Sequence, residues 1–165
     1  MIGVSPNLHV GSQLDEQAIR GQEDWYVVHA CKVPYHRQAL GYTGNGAPKG
    51  HPEYLIARRP GRLILNLIDD DNVGYIRREI IDAALEAIAE NIGSQRVLVH
   101  CNRGASRSPT IAFLYLAKFT PAFSGQDLGD ALAQFQKLYP PYAPARGMAD
   151  FVRQNWADFS DRSGT

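Results

Sequence analysis

The chain has 165 residues, with 17 Lys+Arg against 17 Asp+Glu and a formal net charge of zero. This length fits one domain that buries a core without staples, and the charge balance argues against a protein that coats a polyanion, while leaving room for a local basic pocket. Two cysteines make no disulfide framework and favour a reducing, cytoplasmic setting. No basic and then apolar leader opens the chain, no apolar run approaches membrane-spanning length, and the five histidines show no metal-ligand spacing with the cysteines.

In chain order, Val10 to Ser12 end a short strand, and Ser12 followed by Asp15 reads as a capping box for a helix through Arg20. Trp25 to Cys31 is a strand of aromatic and β-branched residues. The Gly/Pro-rich stretch 34–60 reads as a long insertion. Long loops are often functional, and this one joins two strands, so it is expected to border the active edge of the sheet and shape access to it. Arg62 to Ile68 is a buried strand, with Asp69, Asp70 and Asp71 at its end. Ile81, Leu85, Ile88 and Ile92 recur at helix spacing before Gly93. Arg96 to His100 is a further buried strand, and Thr110 to Ala117 a helix apolar on all sides. Ser124-x-x-Asp127 opens the next helix, which turns Leu128, Ala131, Leu132, Phe135 and Leu138 inward and stops at Tyr139-Pro140-Pro141. A last helix carries Met148, Phe151, Val152 and Trp156. Strands alternating with helices imply a single α/β domain over residues 1–165, a mostly parallel central sheet flanked by helices.

The segment from Val97 to Pro109 carries chemistry. It places Cys101-Asn102-Arg103-Gly104-Ala105-Ser106-Arg107, a Cys-x5-Arg loop, between a buried strand and a buried helix. Ligands of open α/β sheets bind at such strand ends. Gly104 and the small Ala105 permit a tight turn, so the N–H groups of Asn102, Arg103, Gly104, Ala105 and Ser106 can form an anion nest. The helix behind it directs its positive end to the same point, and Pro109 suits its first turn. The fork of Arg107 suits two phosphate oxygens. A thiol pKa near ~8.5 falls to roughly 3.5–7.5 in electropositive loops, so a nest that holds a dianion also makes a nucleophile. Ser108 is placed to hydrogen-bond the Cys101 sulfur, and His100 to orient the loop through its ring N–H.

Spacing alone is weak, because Cys31 to Arg37 is also Cys-x5-Arg after a strand. That segment lacks glycine, contains Pro34, and carries Lys32, Val33, Tyr35 and His36 where a nest needs small residues. Cys31 therefore reads as a small buried hydrophobe. A general acid for the leaving oxygen is expected among Asp69, Asp70 and Asp71, at the end of a neighbouring parallel strand. The alternative for that run is a solvated turn with an Asp cap.

The sequence VLVHCNRGASRSPT resembles the dual-specificity branch of the protein tyrosine phosphatase superfamily. Leu8 to Ser12, Leu65 to Asp69 and Tyr139 to Tyr142 extend the resemblance, and Gly41 to Pro60 matches least. The resemblance implies that Cys101 attacks phosphorus and forms a phosphocysteine. Asp69, with Asp71 second, protonates the leaving group, and Arg107 and the loop hold the phosphoryl oxygens without metal or cofactor. Phosphorylated protein is the implied substrate and partner, acted on by a monomer that binds neither membrane nor nucleic acid stably. The alternatives are a phosphatase for phosphoinositides or RNA 5′-phosphates, and a non-catalytic phosphoanion-binding module. An RNA substrate would want a basic approach, which Arg58, Arg59 and Arg62 could supply, though a solvated turn is the plainer reading of those three. An exposed thiolate could also serve as a redox sensor; no disulfide between Cys31 and Cys101 is expected.

Overall fold

The computed structural model describes residues 1–161. Six strands form one sheet in the order β1-β2-β6-β3-β5-β4: β1 Ile2–Ser5, β2 Leu8–Gly11, β3 Trp25–His29, β4 Ile56–Arg59, β5 Arg62–Leu65 and β6 Arg96–His100. The inner four, β2, β6, β3 and β5, run parallel, and the two edge strands are antiparallel. Among the described residues the α-helices are α1 Gln13–Ile19, α2 Arg37–Leu40, α3 Arg78–Asn91, α4 Arg107–Phe119, α5 Leu128–Leu138 and α6 Arg146–Ser160. The mostly parallel α/β sheet expected from the sequence is the one observed. Among the described residues no helix is long and apolar enough to cross a membrane.

The alternation of side chains along a strand divides the sheet into two faces. Tyr26, Val28, Val97 and Val99 join the main core with α3, α4 and α6. Trp25 and Leu98, with Val27 packed against them, meet Ile19 of α1 on the other face. Helix α4 sits deepest, buried from Arg107 to Ala117 as its all-round apolar pattern requires. Phe113 at its centre stacks on Trp156 of α6 at 5.3 Å and packs on Phe135 of α5 at 5.3 Å.

Several expectations need correction. Strand β5 ends at Leu65 rather than Ile68, though the chain beyond it still follows its neighbours: Asn66 N–H donates to the Leu55 carbonyl at 2.9 Å and Lys32 N–H to the Leu67 carbonyl at 3.0 Å. Strand β4 lies inside the stretch read as an insertion, and β1 precedes the first expected strand. Helix α5 is capped by Asp127, whose carboxylate accepts the Asp130 N–H at 2.9 Å, and not by Ser124. Leu138, expected inward, is 40% exposed because the helix ends there and Tyr139 takes the buried place. Arg58, Arg59 and Arg62 flank the β4–β5 turn, at the end of the sheet away from the Cys-x5-Arg loop. They offer it no basic approach, and Arg59 is engaged by Glu53 at 2.7 Å. The insertion itself divides. Tyr35 packs on His100 at 4.9 Å, at the loop's end of the sheet, whereas 58–60 lie at the opposite end.

Candidate active site

The loop from Cys101 to Ser106 joins the end of β6 to α4. Gly104 has φ +73°, and a Cβ there would lie 2.9 Å from both the carbonyl carbon and oxygen of Gly11. The loop therefore passes against the end of β2 at a distance only glycine allows. Further bonds pin it from outside. Cys101 N–H donates to the Gly11 carbonyl at 3.4 Å, and Ala143 N–H to the Ala105 carbonyl at 2.8 Å. The Tyr139 hydroxyl donates to the Gly104 carbonyl at 2.8 Å. The N–H groups of residues 102–106 meet no acceptor among the described residues. Backbone donors are rarely left so inside a fold, and a run of them is what an anion nest consists of.

Cys101 is buried at the base of the loop and is free, as is Cys31. The Ser108 hydroxyl lies 3.2 Å from the Cys101 sulfur and 3.2 Å from the Gly11 carbonyl. It has one proton, so the bond to sulfur forms when sulfur is the stronger acceptor, as a thiolate is. Burial pushes the Cys31 thiol up to about 12, in keeping with a core residue.

Arg107 is held by its own surroundings. Its Nη1 donates to the Leu67 carbonyl at 3.1 Å and its Nη2 to Asn102 Oδ1 at 2.7 Å, while its buried Nε has no hydrogen-bond partner among the described residues. Asn102 is fixed in turn by a bond from its Nδ2 to the Val33 carbonyl at 2.8 Å. Of the three acids, Asp69 reaches the loop. Its Oδ1 accepts from the Ser106 hydroxyl at 2.6 Å, and its Oδ2 lies 3.9 Å from Arg107 Nε. Asp70 turns away, accepting the Asn72 N–H at 2.8 Å, and Asp71 is exposed. The Arg103 side chain is also exposed, leaving its N–H as its contribution to the loop.

Beneath the loop lies a polar group that sequence reasoning missed. His29 and His100 end adjacent parallel strands in register, so their rings share one face. His29 Nδ1 and His100 Nε2 are 2.6 Å apart, and His100 Nδ1 is 3.4 Å from the Cys101 carbonyl. The carbonyl can only accept, so His100 carries its proton on Nδ1 and takes one from His29. Tyr35 stacks on His29 at 4.4 Å and donates to the buried Glu16 at 2.8 Å. Burial alone would raise the Glu16 carboxyl, but bonds from Arg20 and Tyr35 outweigh it and hold the group below its usual range. The available signal was that both WYVVH and RVLVH are strands ending in His. Glycine also positions the acid: Gly147 of α6 donates its N–H to the Asp70 carbonyl, and a Cβ there would lie 2.2 Å from that oxygen.

Burial lowers His29 to about 2 and His100 to about 4, so both are neutral in the folded protein. The unfolded chain takes up these protons below pH ~6.5 and the folded one does not. This contribution to stability is full above that pH and is lost as pH falls towards 4, at up to about 1.4 kcal/mol per pH unit for each proton excluded. Thermal melts from pH 7.5 to pH 5 are expected to show a falling Tm, with a shallower fall in His29→Gln. An unchanged slope in that variant would place the proton linkage elsewhere.

The Cys-x5-Arg loop thus lies between strand and helix at the carboxyl edge of a mostly parallel sheet, with an aspartate that follows the next strand but one turned onto it. No protein-family model matches the chain, and no curated protein matches it. Solved structures do. Human DUSP28 is 18% identical, with 97% of this chain and 95% of that one covered at a TM-score of 0.56. DUSP15 is 18% identical, covering 96% and 89% at 0.63. The PTP-2 phosphatase of Cydia pomonella is 18% identical, covering 93% and 88% at 0.60. At such identity the likeness speaks for the fold, which is that of the dual-specificity phosphatases over nearly the whole chain.

Proposed function

We propose that this chain is a cysteine-dependent phosphatase that hydrolyses phosphate monoesters on tyrosine and on serine or threonine of proteins. The observation that carries the reading is the convergence of Cys101, Arg107 and Asp69 on one loop whose N–H groups lack protein acceptors. In the first step the Cys101 sulfur attacks phosphorus. The S–P bond forms, the P–O ester bond breaks, and Asp69 in its acid form gives its proton to the departing oxygen. Water then attacks the phosphocysteine, Asp69 takes a proton from it, and the sulfur leaves with the Ser108 hydroxyl donating to it. Arg107 and the N–H groups of residues 102–106 stabilise the equatorial oxygens in both steps. These fixed charges supply the positive field, so the mechanism draws on no cofactor. His100, Tyr139 and Ser108 hold the loop's shape and do not touch substrate.

A reducing cytoplasmic compartment suits a nucleophile that must remain a thiol. A monomer suffices, because every group invoked comes from one chain. The position of Arg58, Arg59 and Arg62 away from the loop weighs against an RNA 5′-phosphate as substrate. The test is hydrolysis of an aryl phosphate at about pH 6 in EDTA, near the working range of a carboxylic acid. Turnover is expected in wild type and absent in Cys101→Ser. Turnover abolished by EDTA, or surviving in Cys101→Ser, would refute the mechanism. No turnover with phosphate still bound would make the chain a phosphoanion-binding module.

A further inference from the structure

The face of the sheet that carries α1 is only partly covered. His29 pairs with Ile64 and Val27 with Arg62 in register, so these four side chains share that face. Ile19 of α1 covers it over Trp25 and Leu98. On its other side α2 closes it, where the Ala39 carbonyl accepts from Arg59 at 3.2 Å. Between the two helices lie cavities of about 410 and 260 Å³, and His29 and Arg62 line both. Val27 gives apolar surface to the first, and Ile64, Ala39 and the Tyr35 ring give it to the second. Together they have the size of a small-molecule site.

Two groups in this lining are unanswered. His29 is 1% exposed. Its Nδ1 donates to His100, so its Nε2 is a bare lone pair, and no hydrogen bond meets that atom among the described residues. A buried acceptor is rarely left so. Arg62 is exposed and has neither hydrogen bond nor ion pair among the described residues. The charges around it are already engaged. Glu16 accepts from Arg20 at 2.6 Å and from Tyr35 at 2.8 Å, and Arg59 pairs with Glu53 at 2.7 Å. Glu23 lines the first cavity, whereas no carboxylate lines the second. The lining therefore fits a hydrogen-bond donor at His29, an apolar body over Val27 and Ile64, and an anionic group at Arg62 on the side away from Glu23.

We infer that the two cavities form one effector site for a small apolar acid that also bears a hydroxyl group, and that its occupant acts on the Cys-x5-Arg loop through His29. The path is short. His29 Nδ1 lies 2.6 Å from His100 Nε2, and His100 Nδ1 lies 3.4 Å from the Cys101 carbonyl. That carbonyl belongs to the same peptide group as the Asn102 N–H, one of the donors of the nest. A hydroxyl donating to His29 Nε2 draws electron density from the ring and makes Nδ1–H a stronger donor, and each bond in such a chain polarises the next. The Asn102 N–H at the end of it becomes a better donor to a bound oxyanion. An occupied effector site therefore tightens phosphate binding, and phosphate tightens the effector by the same factor. This regulation rests on the phosphatase reading above through its anion-binding loop, and not through turnover.

The test titrates three ligands into the wild-type protein by calorimetry. They are 4-hydroxyphenylacetate, phenylacetate, which lacks the hydroxyl, and 4-methylphenol, which lacks the acid. The first is expected to bind about tenfold tighter than either of the others. Arg62→Met should erase its advantage over 4-methylphenol, and His29→Phe its advantage over phenylacetate. The comparison of ligands in wild type needs no change at His29, which packs beneath the loop. With 4-hydroxyphenylacetate saturating, the Kd of inorganic phosphate is expected to fall about fivefold, the low end of usual couplings, and to stay unchanged in His29→Phe. Equal affinity for the three ligands, or an advantage over 4-methylphenol kept in Arg62→Met, would overturn the site. Competition between the acid and phosphate would place the acid in the nest and overturn it as well. Binding that leaves the phosphate Kd unchanged would overturn the effector role. Because coupling is read on phosphate binding, a chain without turnover that shows it would sink the phosphatase reading and leave the effector site standing. Turnover without coupling would do the reverse.

Discussion

Asp69→Asn is expected to lower kcat by about 10²–10⁴-fold, the usual worth of a positioned general acid. Asp71→Asn is expected to stay within a few-fold of wild type. The contrast follows from geometry, since Asp69 Oδ1 touches Ser106 of the loop and Asp71 is exposed with no contact to it. The leaving group supplies a second readout. A nitrophenolate departs well without a proton, and a phenolate or an alkoxide does not. The loss in Asp69→Asn should therefore be larger for phenyl phosphate than for 4-nitrophenyl phosphate, while a residue that only shapes the loop would cost both equally. In the structure Asp69 rests on Ser106 and lies 3.9 Å from Arg107 Nε. A bound dianion would draw Arg107 to itself and leave the carboxyl to the ester oxygen. Equal losses for the two esters, or a larger loss in Asp71→Asn, would move the acid's role to another residue.

The parts of this site that were legible in the sequence are those that are contiguous. Cys101, Gly104, Arg107 and Ser108 fall in one strand–loop–helix segment, and the small residues of that loop, which the Cys31 to Arg37 segment lacks, set their mutual placement. The run Asp69 to Asp71 was legible because a buried apolar strand leads to it, and only the family resemblance singled out Asp69. What stayed hidden is what tertiary register brings in. His29 meets His100 because two parallel strands happen to align their last residues. Tyr35 and Glu16 arrive from a turn and from α1, and Tyr139 from the end of α5. The edge strands were missed for a different reason. Ile2–Ser5 and Ile56–Arg59 have one buried residue each, so neither shows the apolar run that marks an inner strand. The second sits in a Gly/Pro-rich stretch, whose composition outweighs a four-residue pattern. The arginines around it could have been placed from β5 alone: a strand that runs parallel to the loop strand and leads to Asp69 must begin, at Arg62, at the opposite end of the sheet.

Gly104→Ala is expected to lower stability and turnover together, through a single added methyl group. The residue has φ +73°, where a side chain costs about 1–2 kcal/mol. Gly21 and Gly125 have φ +85° and +73° with nothing within 4 Å of an added Cβ. Alanine at either should show that backbone cost alone and leave catalysis intact. At position 104 the Cβ meets Gly11 C and O at 2.9 Å and Ser12 N at 3.1 Å. All three are backbone atoms, so no rotamer change relieves the contact. Either the loop lifts from β2 or the end of β2 shifts. Lifting the loop would strain the bonds from Cys101 N–H and the Ser108 hydroxyl to the Gly11 carbonyl and turn the free N–H groups from their common focus. Gly104→Ala should therefore melt lower than Gly21→Ala or Gly125→Ala, and should lose binding of inorganic phosphate along with turnover. A variant that melts lower yet binds phosphate as wild type does would mean that the nest does not depend on this contact. A Tm equal to that of the two control variants would mean that the β2 end yields at no cost. The comparison isolates the close approach of the loop to β2 from the left-handed backbone that all three glycines share.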